Sequence, residues 1–70
     1  MITPQMIVLD VVYEHPETEA VFREYDSVIG VCILCHHLFD SIETIVQIYA
    51  LNSDELVEKL NGVITHNTYH

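Results

Sequence analysis

The second half of the chain has the clearest pattern of apolar and polar positions. Ile42, Ile45, Val46 and Tyr49 recur at i, i+3, i+4 and i+7, the spacing of one helix face. Asp40 with Glu43 three residues on reads as a capping box that opens this helix. Asn52 and Ser53 offer the next cap, with Asp54 and Glu55 in the first turn. Leu56, Val57, Leu60 and Ile64 then repeat the apolar stripe, and Gly62 is where that helix would fray or end.

The first half is more broken. Residues 6–13 are β-branched enough to suit a strand, but Val8, Val11 and Val12 also fall on one helix face. Thr3 as cap and Pro4 at the first helical position favour a helix over residues 4–14. Pro16 ends it, because the residue before proline avoids helical angles. A second helix is expected from Pro16 to Tyr25, with Val21, Phe22 and Tyr25 as its apolar stripe and Glu17 and Glu19 near its positive end. Residues 26–31 read as a loop. No second strand is present to pair with the first segment.

The pattern therefore predicts an all-α fold, a compact irregular array of four to five short helices. Residues 1–64 form one small domain, and residues 65–70 form a polar tail. The expected core is Val8, Val11, Val12, Val21, Phe22, Leu38, Phe39, Ile42, Ile45, Val46, Tyr49, Leu56, Val57 and Leu60. Tyr13 and Tyr25 also fall on apolar stripes, so packing is their expected role.

Length limits what this core can do. A chain of 70 residues buries only about 60% of the surface it exposes unfolded. Two domains, a barrel enzyme and a dinucleotide-binding fold are excluded. A staple is expected: a disulfide, a metal, a cofactor or a partner subunit. So small a chain, with no evident substrate pocket, is not expected to be a complete enzyme on its own. Burying further apolar area in a homodimer would suit it.

Charge narrows the partners. Eleven acids face two basic residues, Arg23 and Lys59, for a net charge of −9. Such a field repels phosphate backbones, so nucleic acid and anionic membranes are poor partners and a basic protein surface is a natural one. The longest apolar run, residues 28–35, is far short of the roughly 20 residues that span a membrane. No positive segment follows Met1, so a cytoplasmic location is expected.

Candidate chemistry lies in Cys32-Ile33-Leu34-Cys35-His36-His37. On a helix, Cys32, Cys35 and His36 share a face. Gly30 can supply the tight turn leading in. In a reducing compartment such cysteines point to redox or metal chemistry more than to a passive clip.

Four readings follow. The leading one is dithiol–disulfide cycling, with the more exposed Cys32 attacking, Cys35 resolving and His36 tuning the thiolate. The second is a zinc or iron–sulfur site built from Cys32, Cys35 and His36, completed by His37, His15, a tail histidine or a second chain. The third is c-type haem attachment with His36 as axial ligand and Met6 as the best distal candidate; the missing export signal counts against it. The fourth is two apolar cysteines that fill a core, in a domain whose acidic surface only docks a partner. His15 reads as a helix-end residue, and His66 and His70 as solvated tail residues. Ser41 sits in a capping position with no evident base.

The order of landmarks adds to this. Ile2-Thr3, Val11-Val12, Pro16-Glu17-Thr18, Val21-Phe22-Arg23-Glu24-Tyr25, Cys32-x-x-Cys35-His36, Ser41-Ile42-Glu43 and Asp54-Glu55-Leu56 follow one another across residues 2–61. In this order and spacing the chain resembles the hybrid-cluster-protein-associated redox disulfide domains, a family of unknown function whose members occur alone or attached to larger proteins. The resemblance implies a compact array of short helices. It also implies a Cys-x-x-Cys poised for disulfide chemistry, carried here by Cys32 and Cys35. Taken together, these readings lead to the expectation of a thiol–disulfide redox module that acts with a partner oxidoreductase and holds no cofactor. Two departures stand out. The family places Gly directly after the tyrosine, where this chain has Asp26, and reaches its first cysteine sooner. It also commonly ends the fourth helical segment with Gly, where this chain has Ala50. An alanine held in the left-handed region costs about 1 kcal/mol.

Overall fold

In a computed structural model, described here for residues 1–67 and for side chains through residue 64, the chain is all-α. Five helices follow in order: α1 (Val8–Glu14), α2 (Glu19–Ile29), α3 (Ile33–His36), α4 (Ile42–Tyr49) and α5 (Ser53–Asn67), with a 3-10 turn at Pro16–Thr18 before α2. Among the described residues there is no strand, only one antiparallel bridge between Ile7 and Ser41. No helix among them is long and apolar enough to cross a membrane.

The first helix begins later than the sequence suggests. Residues 4–6 turn instead, with the Met6 amide donating to the Thr3 carbonyl at 3.1 Å. The reason is tertiary. The Val8 amide donates to Asp40, the Leu9 amide to Leu38, and the Ile42 amide to Met6, at 2.8–3.0 Å. The segment before α1 is therefore paired sideways with the segment before α4, and that pairing uses the Met6 carbonyl outside the helix. Helix α1 ends at Glu14, with His15 as its cap before Pro16, as expected.

Helix α2 runs past Tyr25 to Ile29 and closes at Gly30, whose φ of 76° is left-handed. Most of the expected 26–31 loop is thus helix. Helix α4 is capped by Ser41, whose Oγ accepts from the Thr44 amide at 3.1 Å, and not by Asp40. Asn52 Oδ1 accepts from the Glu55 amide at 3.0 Å and caps α5, as predicted. That helix does not stop at Gly62 but continues to Asn67, so it enters the expected tail. Residues 68–70 of that tail, including His70, lie outside the described residues, as does the side chain of His66.

Val8, Val11, Val21, Phe22, Ile42, Ile45, Leu56 and Leu60 are buried as expected, with Tyr25 beside them. Val12, Leu38, Val46, Tyr49 and Val57 pack against this core while only partly buried. Phe39 is not core; it is 75% exposed. Tyr13 is exposed too. Two residues join the core unannounced, Ile2 and Ile33. Asn61 holds the first in place: its Oδ1 accepts from the Ile2 amide at 2.7 Å and its Nδ2 donates to the Ile2 carbonyl at 3.1 Å. One side-chain amide thus ties the chain's start to α5, as a backbone partner would.

Candidate functional site

The approach to the cysteines is set by the end of α2. Gly30 reverses the chain, its amide donating to the Asp26 carbonyl at 2.8 Å. The Asp26 carboxylate then reaches forward seven residues and accepts the Ile33 amide at 2.9 Å. Asp26 thus satisfies the first amide of α3. Ile33 is fully buried and pins this one-turn helix to the core, against α2.

Cys32 and Cys35 are joined by a disulfide, with Cα atoms 5.2 Å apart, inside the ordinary range for such bonds. Cys32 is the N-cap of α3, in extended conformation, and its Sγ accepts the Cys35 amide at 3.2 Å. An N–H aimed at a sulfur favours negative charge there. The order of exposure reverses the expectation. Cys35 is exposed and Cys32 only half so; Cys32 is the cap at the start of α3, and Cys35 lies one turn on.

The two histidines differ. His36 is exposed at the end of α3. His37 is held at both ring nitrogens: Nδ1 lies 2.9 Å from Asp40 Oδ2 and Nε2 lies 2.6 Å from the Tyr49 hydroxyl. Its ring also meets the Tyr49 ring edge-on, with centroids 5.4 Å apart. His37 therefore ties the end of α3 to α4, and engaging it as a metal ligand would break at least one of these bonds. This also explains why Asp40 is not the α4 cap. His15 lies 3.9 Å from Glu17, away from this cluster. Met6 packs against the core, and its sulfur accepts the Thr3 amide at 3.4 Å. Among the described residues no three His, Cys, Asp or Glu side chains are gathered as a metal site.

Cys32, Cys35, His36 and Gly30 stand out in the sequence, but three supports do not. Asp26, Asp40 and Tyr49 hold the site from α2, from the turn and from α4. The His37/Asp40 pair carried a signal, since three residues is contact distance in a turn; Asp26 and Tyr49 carried none that single-chain spacing reveals.

A groove of about 360 Å³ opens elsewhere, lined by residues that include Tyr25, Val28, Leu51, Glu55 and Lys59, with neither cysteine among them. Burial raises the pKa of the Tyr25 phenol there. Lys59 lies over the Tyr25 ring, 5.4 Å from its centroid.

Compared with family models, curated proteins and solved structures, the chain matches none.

Proposed function

We propose that this chain is a thiol–disulfide redox module that exchanges electrons with a partner protein dithiol. The observation that carries the reading is a Cys-x-x-Cys disulfide on a one-turn helix, with Cys35 the more exposed residue and the Cys32 sulfur accepting an amide. The resemblance to the redox disulfide domains supports it.

The geometry favours roles opposite to those expected from the sequence. Cys35, the more exposed cysteine, takes the incoming thiolate and forms the mixed disulfide. Cys32 leaves as thiolate, its charge favoured by the Cys35 amide, and later resolves the mixed disulfide in the reverse direction. His36, exposed beside Cys35, favours thiolate when protonated.

The test is a native mass spectrum of protein purified anaerobically without chelator, repeated after air oxidation. The expected result is a metal-free chain that reversibly loses the mass of two hydrogens. In addition, Cys32→Ser, which leaves Cys35, should trap a mixed disulfide with glutathione faster than Cys35→Ser does. Bound zinc, iron–sulfur or haem mass would overturn the reading and make Cys32, Cys35 and His36 ligands instead.

A further inference from the structure

Phe39 is a large aromatic ring left 75% exposed four residues after Cys35. It sits at a corner of the turn of residues 37–40, closed by the Asp40 amide on the His37 carbonyl at 3.1 Å. That turn is braced on both sides. The Leu9 amide donates to Leu38 at 2.8 Å, the Val8 amide donates to Asp40 at 2.9 Å, and the His37 ring meets the Asp40 carboxylate. Presenting a ring on a braced backbone avoids the backbone part of the entropy cost of ordering it when it binds. Four residues of chain place it at most about 14 Å from Cys35 along the backbone.

The charge carried by the segments that meet at this turn points to the occupant. The segments that meet here, residues 7–10 and 33–43, carry Asp10, Asp40 and Glu43 and no Lys or Arg. The chain's two cations lie on other helices, each beside an acid of its own helix: Arg23 at 2.6 Å from Glu19, and Lys59 at 3.7 Å from Glu55. A second copy would bring a charge of −9 against −9 with its cations already engaged. A basic surface complements both the ring and the acids.

We propose that the Phe39 turn is the docking anchor for a basic protein dithiol, whose apolar slot, rimmed by Lys or Arg, lies beside its cysteines. The proposal rests on the redox reading of Cys32 and Cys35. A partner thiolate attacks Cys35 Sγ. The Cys32–Cys35 bond breaks, and Cys32 leaves as thiolate and takes a proton. The partner's second thiolate then attacks its own sulfur in the mixed disulfide and releases Cys35. Two electrons pass to this chain, and the partner dithiol becomes a disulfide.

The experiment measures second-order rates of disulfide reduction in the full chain by three probes. These are a synthetic Cys-x-x-Cys dithiol peptide flanked by leucine and arginine, the same peptide with glutamate for arginine, and dithiothreitol. The basic peptide should react faster than the acidic one, and 1 M salt should close the gap, because screening there acts over about 3 Å. Phe39→Ser should slow the basic peptide about tenfold, the size expected for losing part of a buried phenylalanine, and leave dithiothreitol unchanged.

Equal rates for the two peptides, or a Phe39→Ser rate unchanged with the basic peptide, would overturn the proposal. So would equal slowing of dithiothreitol, which would make the turn a support of the disulfide. Sedimentation as a dimer that Phe39→Ser converts to monomer would give the surface to a second copy. Failure of dithiothreitol to reduce the bond reversibly would instead remove the redox reading, and this proposal with it.

Discussion

In α2, α4 and α5 the centre of each inward stripe is closed to water: Phe22, Ile42, Ile45, Leu56 and Leu60 have no exposed surface. In α3 and the turn after it, only Ile33 is sealed off, while Cys35, His36 and Phe39 face solvent. The two regions are held by different physics. The helical frame stands on area removed from water. The α3 limb buries only Ile33 fully, with Leu34 and Leu38 partly buried against the core, and relies besides on a covalent bond, on backbone bonds from Val8 and Leu9, and on hydrogen bonds made by Asp26, Asp40 and Tyr49. Point contacts let so short a segment keep its shape while Cys35 stays exposed.

The largest expected effect lies in the frame. Phe22→Ala should cost about 3–5 kcal/mol through lost transfer energy and the cavity left behind. For so small a core that is of the order of the whole stability. Urea unfolding followed by circular dichroism should show a chain largely unfolded without denaturant, its disulfide still intact. A variant that unfolds with a near-native midpoint would mean that the frame is not what holds the molecule together.

Reducing the disulfide should do less. Closing so short a loop restricts the unfolded chain by about 2 kcal/mol, and that is the expected loss on reduction. The expected pattern separates the regions. Hydrogen exchange should quicken at the His36 and His37 amides, which donate to Cys32 and Ile33, before it quickens in α5. Uniform loss of protection across α2, α4 and α5 would show that the limb is part of the frame and not a rider on it.

The same division governs what the sequence disclosed. Where burial dominates, period and composition suffice: Ile42, Ile45, Leu56 and Leu60 lie inside as their spacing demands, and Asn52 caps α5. Where point contacts dominate, the partner is distant and leaves no local trace. Asp40 reads as a helix cap until His37 claims it. Residues 4–7 read as helix until they pair with the segment before α4. Ile2 reads as a free end until Asn61, 59 residues on, grips its backbone. Phe39 reads as core because a phenylalanine usually is. Cys32 and Cys35 were legible as a pair; which sulfur faces out was not, because exposure depends on how α2 ends.

The smallest predicted effect compares two chain reversals, one leading into each region. Helix α2 ends at Gly30 (φ 76°) and helix α4 ends at Ala50 (φ 54°, ψ 44°); both are left-handed. A Cβ added to Gly30 would meet nothing within 4 Å, so only backbone strain opposes a side chain there. Gly30→Ala should therefore cost about 1 kcal/mol and Ala50→Gly should gain about as much, both net of the unfolded ensemble, which alanine narrows and glycine widens. The two midpoints in urea should move in opposite directions by similar amounts. A destabilising Ala50→Gly would mean that the alanine methyl, at the rim of the Tyr25 groove, contributes packing that outweighs its strain. The turn between α4 and α5 would then be fixed by contact, as the frame is, and not by conformation.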